Sequence, residues 1–481
     1  MTAVLSVKQI RTAEANLFKT TPERDVMLRA ATALGTTCAR LLQETRGGVY
    51  GANVSLLIGA GNNGGDALFA GALLAKRGAQ VVAVPVADQL HADGLAALKA
   101  AGGSVAVADD AEATICASDL VIDGLVGIGM AGELKEKAAW LADAANDTDA
   151  LVIAVDVPSG VNADTGQVLG EAVLADVTVT FGALKRGLLL PPGSQYVGML
   201  EVVDIGLDEQ DMQSDTHRSD LVAMRDLLPT PLPSDHKYSQ GVTGIVAGSD
   251  RYPGAAILSV GGALHAKPGL VRYCGTAADA VVGQWPSTIV TSGSPQDAGH
   301  VDSWALGPGI GTDEHSLALV REVLAQPVPV VVDADALTLV AEHPKLLTNR
   351  EHDTLLTPHE GEFRRLAPDV DIEADRIAAA SVLAERTGCS VLLKGGTTVI
   401  VSPEGDVGLN VSGTPYLATA GTGDVLTGIV AAYCAATLSP YDAGRLGAFV
   451  HGLAGRIASD GAPCTAFDVV EAIPDAIHAL G

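Results

Sequence analysis

Aromatic residues are scarce in this chain, at 4% of its 481 residues. Alanine, valine and glycine stand in their place, a palette suited to helices packed closely over sheets. Basic residues are also few: 30 Lys and Arg against 57 Asp and Glu leave a net charge of −27. No Lys/Arg cluster interrupts that excess, which excludes neutralising a nucleic-acid backbone or an anionic membrane surface. An anionic small molecule has to be held locally, by backbone N–H groups or a few lysines. Six cysteines (Cys38, Cys116, Cys274, Cys389, Cys434, Cys464) lie scattered with no Cys-x-x-Cys pair. They read as reduced, mostly buried thiols of a cytoplasmic protein. No apolar run approaches the ~18 residues of a membrane span. Residues 1–30 carry Lys8, Arg11, Glu14, Lys19, Glu23 and Arg24 where a secretory signal would be apolar.

Hydrophobic residues nonetheless make up 48%, and the length suits two or three units at ~150 residues each. Short Val/Ile-rich runs alternate with helical segments through the first part: Val54–Ile58, Val81–Val86, Leu120–Asp123, Leu151–Val155, Val177–Phe181, Leu200–Asp204. That alternation predicts a mainly parallel sheet with helices on both faces, a Rossmann-like α/β domain. The acidic, aperiodic stretch Asp208–Asp215, followed by Pro229, Pro231 and Pro233, places a linker near 206–225. A second α/β alternation starts at Gly244–Gly248 and runs to the end. The expected domains are 1–208 and 219–481.

Two glycine-rich loops carry the chemistry. Ala420-Gly421-Thr422-Gly423-Asp424 leads into the helical pattern Val425–Ala436. Small residues there bring N–H groups together at a helix start, where the helix dipole favours an anion. Asp424, just inside that hole, can take a proton from a hydroxyl while the N–H groups hold a phosphoryl group. The plainer alternative is a turn with Asp424 as a helix-start residue. In the first half, Gly59-Ala60-Gly61-Asn62-Asn63-Gly64-Gly65-Asp66 follows the strand Val54–Ile58. It contains Gly-x-Gly-x-x-Gly, but Asp66 stands where a pyrophosphate would sit, and like charges repel. Two further loops leave strand ends, Ile122–Gly129 and Val155–Gly160. In an open parallel sheet such ends converge, bringing Asn63, Asp123 and Ser159 together as three oxygen donors for a hard, weakly held cation.

The Asn62–Asp66, Asp123–Gly129 and Asp156-Val157-Pro158-Ser159-Gly160 segments resemble the signature motifs of the NAD(P)HX epimerases, over roughly residues 1–205. By that resemblance Asn63, Asp123 and Ser159 bind K⁺. Substrate is contacted by Asn62, Asn63, Gly64, Gly65 and Asp66, by Gly127, Ile128, Gly129, Met130, Ala131, Gly132 and Glu133, and by Asp156, which is also the expected catalytic group. One departure is Ala67, where the family usually has glycine; its methyl is expected to narrow the loop's approach to ligand.

Gly307-Pro308-Gly309-Ile310-Gly311, Val332–Leu337, Thr357-Pro358-His359-Glu360-Gly361-Glu362, Lys394-Gly395-Gly396-Thr397-Thr398 and Tyr252–Ala256 accompany the Asp424 loop. Pro358 is expected in the first turn of its helix, and Tyr252–Ala256 at the first helix of the domain. Together these segments resemble the ADP/ATP-dependent NAD(P)HX dehydratases of the ribokinase-like superfamily, over roughly 225–481. The resemblance implies that Lys394, Gly395, Gly396, Thr397, Thr398 and Gly423 bind the nucleotide, while Ala256, Gly309, His359 and Asp424 face the hydrated nicotinamide. Hydroxide is a poor leaving group, and phosphorylating the ring hydroxyl makes its elimination easy. Asp424 would deprotonate that hydroxyl, with Mg²⁺ and the 421–424 N–H groups stabilising the phosphoryl in transfer. ADP as donor and a homo-oligomeric state follow from the resemblance alone. A ribokinase-type kinase of vitamin precursors or sugars, and a nucleotide sensor without catalysis, are the competing readings. The fused first domain and the 357–363 segment argue against the kinase, and Asp424 with Asp156 argues against the sensor.

Overall fold

The computed structural model describes residues 2–87, 89–107, 110–130, 132–348 and 350–481. It divides into two compact units, Ala3–Ser214 and Asp215–Gly481, the latter taking in Thr2.

In the first unit the main sheet has the order Ser104–Val105, Gln80–Pro85, Asn53–Ile58, Leu120–Gly124, Leu151–Val155, Val177–Phe181, Met199–Val203. Every neighbouring pair is parallel. Side chains alternate between two cores, as they must in a sheet covered on both faces. Leu120 and Ile122 pack with Leu34, Leu42 and Leu68 of the helices Glu23–Arg46 and Asn62–Lys76. Val121 turns the other way, to Ile115 and Leu141 of Ala111–Cys116 and Glu136–Asn146. The chain leaves Asn53–Ile58 toward one edge of the sheet and returns to Leu120–Gly124 on the other side. That reversal opens a crevice at the carboxyl ends of these two strands. The backbones there touch: Gly59 N–H donates to the Gly124 carbonyl (3.0 Å). A Cβ at Gly59 would lie 1.8 Å from the Leu125 carbonyl oxygen, so only glycine fits.

The second unit repeats the plan. Its strands run Ile289–Thr291, Leu270–Cys274, Val242–Val246, Ser303–Leu306, Val330–Val332, Thr354–Leu356, Ser390–Leu393, Thr398–Val401, Val407–Asn410, Thr216–Arg218. They are parallel as far as Ser390–Leu393. Thr398–Val401 is antiparallel to both neighbours, and Thr216–Arg218 pairs in parallel with Val407–Asn410. Ala305, Val331 and Leu355 face the helices Pro253–Ala266, Thr422–Ala435 and Pro440–Ser459. Trp304, Leu306, Val330 and Val332 face Glu314–Leu324 and Ala334–Glu342. Here the reversal falls between Val242–Val246 and Ser303–Leu306, where Gly248 N–H donates to the Pro308 carbonyl (2.6 Å).

Several local expectations are corrected. The stretch 206–225 contains the strand Thr216–Arg218 and the helix Leu221–Leu227, capped by Asp220. Three strand residues show no alternation in sequence; pairing with Val407–Asn410 defines them. The helix Pro253–Ala266 is therefore not the first of its unit. The helix after Gly61 begins at Asn62, so Asn63 to Asp66 are helical rather than loop. Pro358 precedes its helix, because His359 is the N-cap of Glu360–Leu366. No helix among the described residues is long and apolar enough to cross a membrane. All six cysteines are free.

Candidate functional site

The first site forms where three strand ends meet. Asp123, at the end of Leu120–Gly124, has no exposed surface. Its Oδ1 accepts from the Ser159 hydroxyl (2.7 Å) and Leu125 N–H (3.2 Å), and Oδ2 from Ser159 N–H (2.8 Å). Burial pushes its carboxyl up to about 6, against the pull of those donors. The Ser159 hydroxyl also receives Val126 N–H (2.9 Å) and lies 3.1 Å from the Val126 carbonyl. Asn63 Nδ2 donates to the Val155 carbonyl (2.6 Å). Its amide oxygen faces Gly127, where a Cβ would sit 2.3 Å away. The structure thus gathers Asn63 in the first turn of its helix, Asp123 at its strand end and Ser159 in its loop, with the Val126 carbonyl beside Ser159.

Next to this cluster Asp156 adopts a left-handed backbone, φ 67°. Its Oδ1 accepts from Lys185 Nζ (2.5 Å), Thr180 Oγ1 (3.1 Å) and Phe181 N–H (3.0 Å). Lys185 is 1% exposed and also donates to Thr180 Oγ1 (2.9 Å) and the Phe181 carbonyl (2.7 Å). Asp66 is buried, and its Oδ1 has no hydrogen-bond partner. Burial first, then the charges of Asp156 and Glu14, hold its carboxyl well above the usual range. Gly64 and Gly65 permit close packing: a Cβ at Gly64 would meet the Gly59 carbonyl oxygen at 2.4 Å. Asn62 is exposed and donates to Glu23 (3.2 Å). Along the second loop, Met130 N–H closes a turn onto Gly127, Ile128 packs on Leu5 and Ile10, and Gly129 lies beside Arg11. Gly132 and Glu133 are exposed, and Ala131 lies outside the described residues. The Ala67 methyl is fully buried against Gly124, so it meets the sheet and does not narrow the ligand side.

In the second unit the helix Thr422–Ala435 starts from Gly421, whose φ of +91° requires glycine. Asp424 is in its first turn and half-buried. Burial, then Asp333, raise its carboxyl to about 7, although Lys394 pulls it down. Lys394 Nζ donates to Asp333 Oδ1 (2.7 Å) and lies 3.7 Å from Glu362. Thr427, one turn beyond Gly423, donates to Asp333 Oδ2 (2.7 Å). His359 Nδ1 accepts from Gly361 and Glu362 N–H (2.9 and 3.3 Å), and its Nε2 is 3.4 Å from Glu362. Lys394 reaches Gly423, where a Cβ would stand 3.7 Å from Nζ. Gly395 and Gly396 form an exposed turn, while Thr397 is buried and Thr398 opens the antiparallel strand. Arg376 clamps that turn by donating to the Lys394 carbonyl (3.0 Å). Gly309, at φ +65°, abuts Ala255, Tyr252 and Gly248. Ala256 is fully buried, packed against Gly248.

The chain is 45% identical to the bifunctional NAD(P)H-hydrate repair enzyme Nnr of Mycobacterium tuberculosis over 436 residues, 90% of this chain and 89% of that protein. It is 43% identical to the enzyme of the same name from Mycobacterium leprae over 483 residues, 99% of each. It belongs to the bifunctional NAD(P)H-hydrate repair enzymes. Residues 243–474 match the NAD(P)H-hydrate dehydratase family and 23–187 the YjeF-related protein N-terminus. A ribokinase-like superfamily protein from Enterococcus faecalis shares the second fold, with TM-score 0.51 and 23% identity over 56% of this chain and 98% of that chain.

Sequence reasoning about this repair enzyme left Lys185, Thr180 and Glu14 without a role, and assigned none to Asp333 or Thr427. A signal for Lys185 exists: Lys185 and Arg186 interrupt an otherwise apolar run from Ala183 to Leu190. A lysine in such a run is buried only with a partner.

Proposed function

We propose that residues 1–208 interconvert the R and S hydrates of NADH and NADPH, and that residues 219–481 dehydrate the S form to NAD(P)H using ADP. The observation that carries the second half is Asp424, raised to about 7, in the first turn of a glycine-capped helix facing Lys394. A base with that value is half-ionised near neutrality, where it works best. Asp424 takes the proton of the ring hydroxyl as that oxygen attacks the terminal phosphoryl group of the nucleotide. Lys394, Gly395, Gly396, Thr397, Thr398 and Gly423 cradle the nucleotide, and Gly309, His359 and Ala256 hold the nicotinamide. The phosphorylated oxygen then departs, pushed by the ring nitrogen. Carboxylates close to Lys394, Asp333 among them, fit a site where Mg²⁺ would neutralise phosphate charge.

In the first unit the low-charge oxygen set of Asn63, Asp123 and Ser159 fits K⁺ better than Mg²⁺. The free amide oxygen of Asn63 over Gly127 supports that reading. K⁺ would fix the helix start at Asn62–Asp66 and the loop at Gly127–Glu133 around the substrate, with Asp156 as the catalytic carboxylate. Unpaired cysteines suit a cytoplasmic, reducing setting, and homo-oligomerisation is part of the same reading. The test is to incubate the full chain with racemic NADHX and ADP, ATP or neither, following NADH formation. Complete conversion of both epimers with ADP is expected. No NADH with either nucleotide would overturn the dehydratase reading. Conversion that stops when the S form is spent would overturn the epimerase reading.

A further inference from the structure

A lysine with 1% exposure beside a carboxylate needs a reason. Burying an ion pair costs desolvation that the attraction rarely repays with much to spare, so such a pair is weak evidence for stability alone. The geometry here is selective. Lys185, Thr180 and Phe181 N–H all converge on Asp156 Oδ1, and no donor among the described residues reaches Oδ2. The pair stands at the carboxyl end of Val177–Phe181, and the left-handed backbone of Asp156 is tied to that strand by its N–H, which donates to the Val179 carbonyl (2.8 Å). Close enough to feel the charge of Asp156, Asp66 presents a buried Oδ1 with no partner.

We propose that Lys185 is a positioning residue of the epimerase, which pins Asp156 by one oxygen and leaves the other to work as base while Asp66 acts as the opposing acid. This rests on the epimerase reading above. Asp156 Oδ2 takes the proton of the ring hydroxyl. The carbon–oxygen bond becomes a carbonyl as the carbon–nitrogen bond opens, and that electron pair goes to the ring nitrogen, which receives the proton of Asp66. The freed aldehyde rotates and the nitrogen closes on its other face, handing its proton back to Asp66 while Asp156 returns the hydroxyl proton to the oxygen, which inverts the centre. Two carboxyl groups in unlike surroundings divide the acid and base roles. The raised carboxyl of Asp66 agrees with the acid role, since it keeps its proton to higher pH than an ordinary carboxylate. Other charges face the pair: Glu14 and Arg11 from the helix Val7–Leu17, and Glu23 from the helix Glu23–Arg46. Glu14 is also raised, by burial and then by Asp156, but it is only half-buried.

The test uses the full chain, measuring epimer interconversion against pH and, in the same preparations, dehydration of pure S-NADHX. Lys185→Met should lower epimerase kcat by ~100-fold or more. KM and dehydratase activity should hold. Lys185→Arg should recover part of the rate. Asp66→Asn should lower kcat and remove the basic limb. A Lys185→Met enzyme with wild-type kcat overturns the proposal. So does one whose loss lies in KM with kcat kept, which would mark Lys185 as structural. If Lys185→Met does not fold, Lys185→Arg and Asp66→Asn decide: wild-type kcat in both overturns it. A basic limb removed by Glu14→Gln and not by Asp66→Asn also overturns the acid assignment. Wild-type protein that interconverts no epimers defeats the epimerase reading instead, and the two failures are thereby distinct.

Discussion

Each unit of this chain has a carboxylate near a lysine, fully buried in the first and half-buried in the second, and the two are wired in opposite ways. Asp156 takes its lysine directly, with Lys185 Nζ 2.5 Å from Oδ1. Asp424 does not: its neighbour Lys394 is committed to Asp333 at 2.7 Å. Asp424 is left with burial and two nearby like charges, Asp333 and Asp335, and its carboxyl rises to about 7. The lesson is that distance to a lysine says little until the lysine's other partners are counted. A committed cation anchors a site, and the carboxylate next to it is freed to exchange protons near neutral pH.

The largest test of that contrast is Asp424→Asn. The amide is nearly isosteric and cannot act as base, so dehydration should fall by ~10²–10⁴-fold. Nucleotide binding, carried by other residues, should persist, and epimerisation in the other unit should be unchanged. A variant that dehydrates at near the wild-type rate would remove Asp424 from the chemistry. The counterpart in the first unit is Asp123→Ala, expected to lower epimerisation by about 10–100-fold while sparing dehydration. Replacing K⁺ by a bulky organic cation should reproduce the loss in the unaltered protein. Normal epimerisation without K⁺ would sink the cation assignment.

A smaller effect concerns pH. As a base, Asp424 must lose its proton, so the dehydratase rate should climb with pH and level off above about 7. The sign for stability is the reverse. An acid whose folded-state value is raised holds its proton more tightly when folded, so stability falls as pH rises from the ordinary carboxylate range to about 7. In the absence of nucleotide, Asp424→Asn should therefore melt higher than the unaltered protein at pH 8, and the gap should narrow toward pH 4. A gap of the same size at both pH values would show that the gain is not the relief of a buried charge.

Much of this was legible in sequence for physical reasons. Parallel strands buried on both faces read as short apolar runs, and Leu151–Val155 and Val177–Phe181 were read with the bounds the structure shows. Glycines at Gly59 and Gly421 marked the places where backbone must approach backbone or turn left-handed. What stayed hidden was pairing between residues far apart in the chain. Lys185 and Asp156 are separated by 29 positions, and no local pattern links them. The start of the helix at Asn62 was also obscured, because two glycines sit in its first turn and lower the apparent helix signal. Thr216–Arg218 escaped for the same reason as Lys185: its only reason to be a strand is the partner at Val407–Asn410.

That short strand supplies the smallest and sharpest test of whether the two units are independent. Cutting at the ends of the acidic stretch, with one fragment ending at Asp208 and the other starting at Ser219, looks harmless from sequence. The structure says otherwise. A fragment starting at Ser219 lacks Thr216–Arg218, whose register sets Thr216 opposite Val407 and Arg218 opposite Leu409. It also loses the bond from Val407 N–H to the Asp215 carbonyl (2.8 Å), and leaves fully buried Thr216 as an empty place. Likewise a fragment ending at Asp208 loses Asp211, which accepts from Asn16 (2.7 Å), and Ser214, which donates to the Val4 carbonyl (2.7 Å). Each backbone hydrogen bond is worth about 1 kcal/mol net, and one kcal/mol moves the melting point of a unit this size by ~2–4 °C. Fragments cut between Ser214 and Asp215 should each fold, keep their own activity, and melt several degrees above the fragments 1–208 and 219–481. Equal melting points would mean the strand contributes nothing to its sheet. Failure of both pairs to fold would mean that neither unit stands alone, whatever its core.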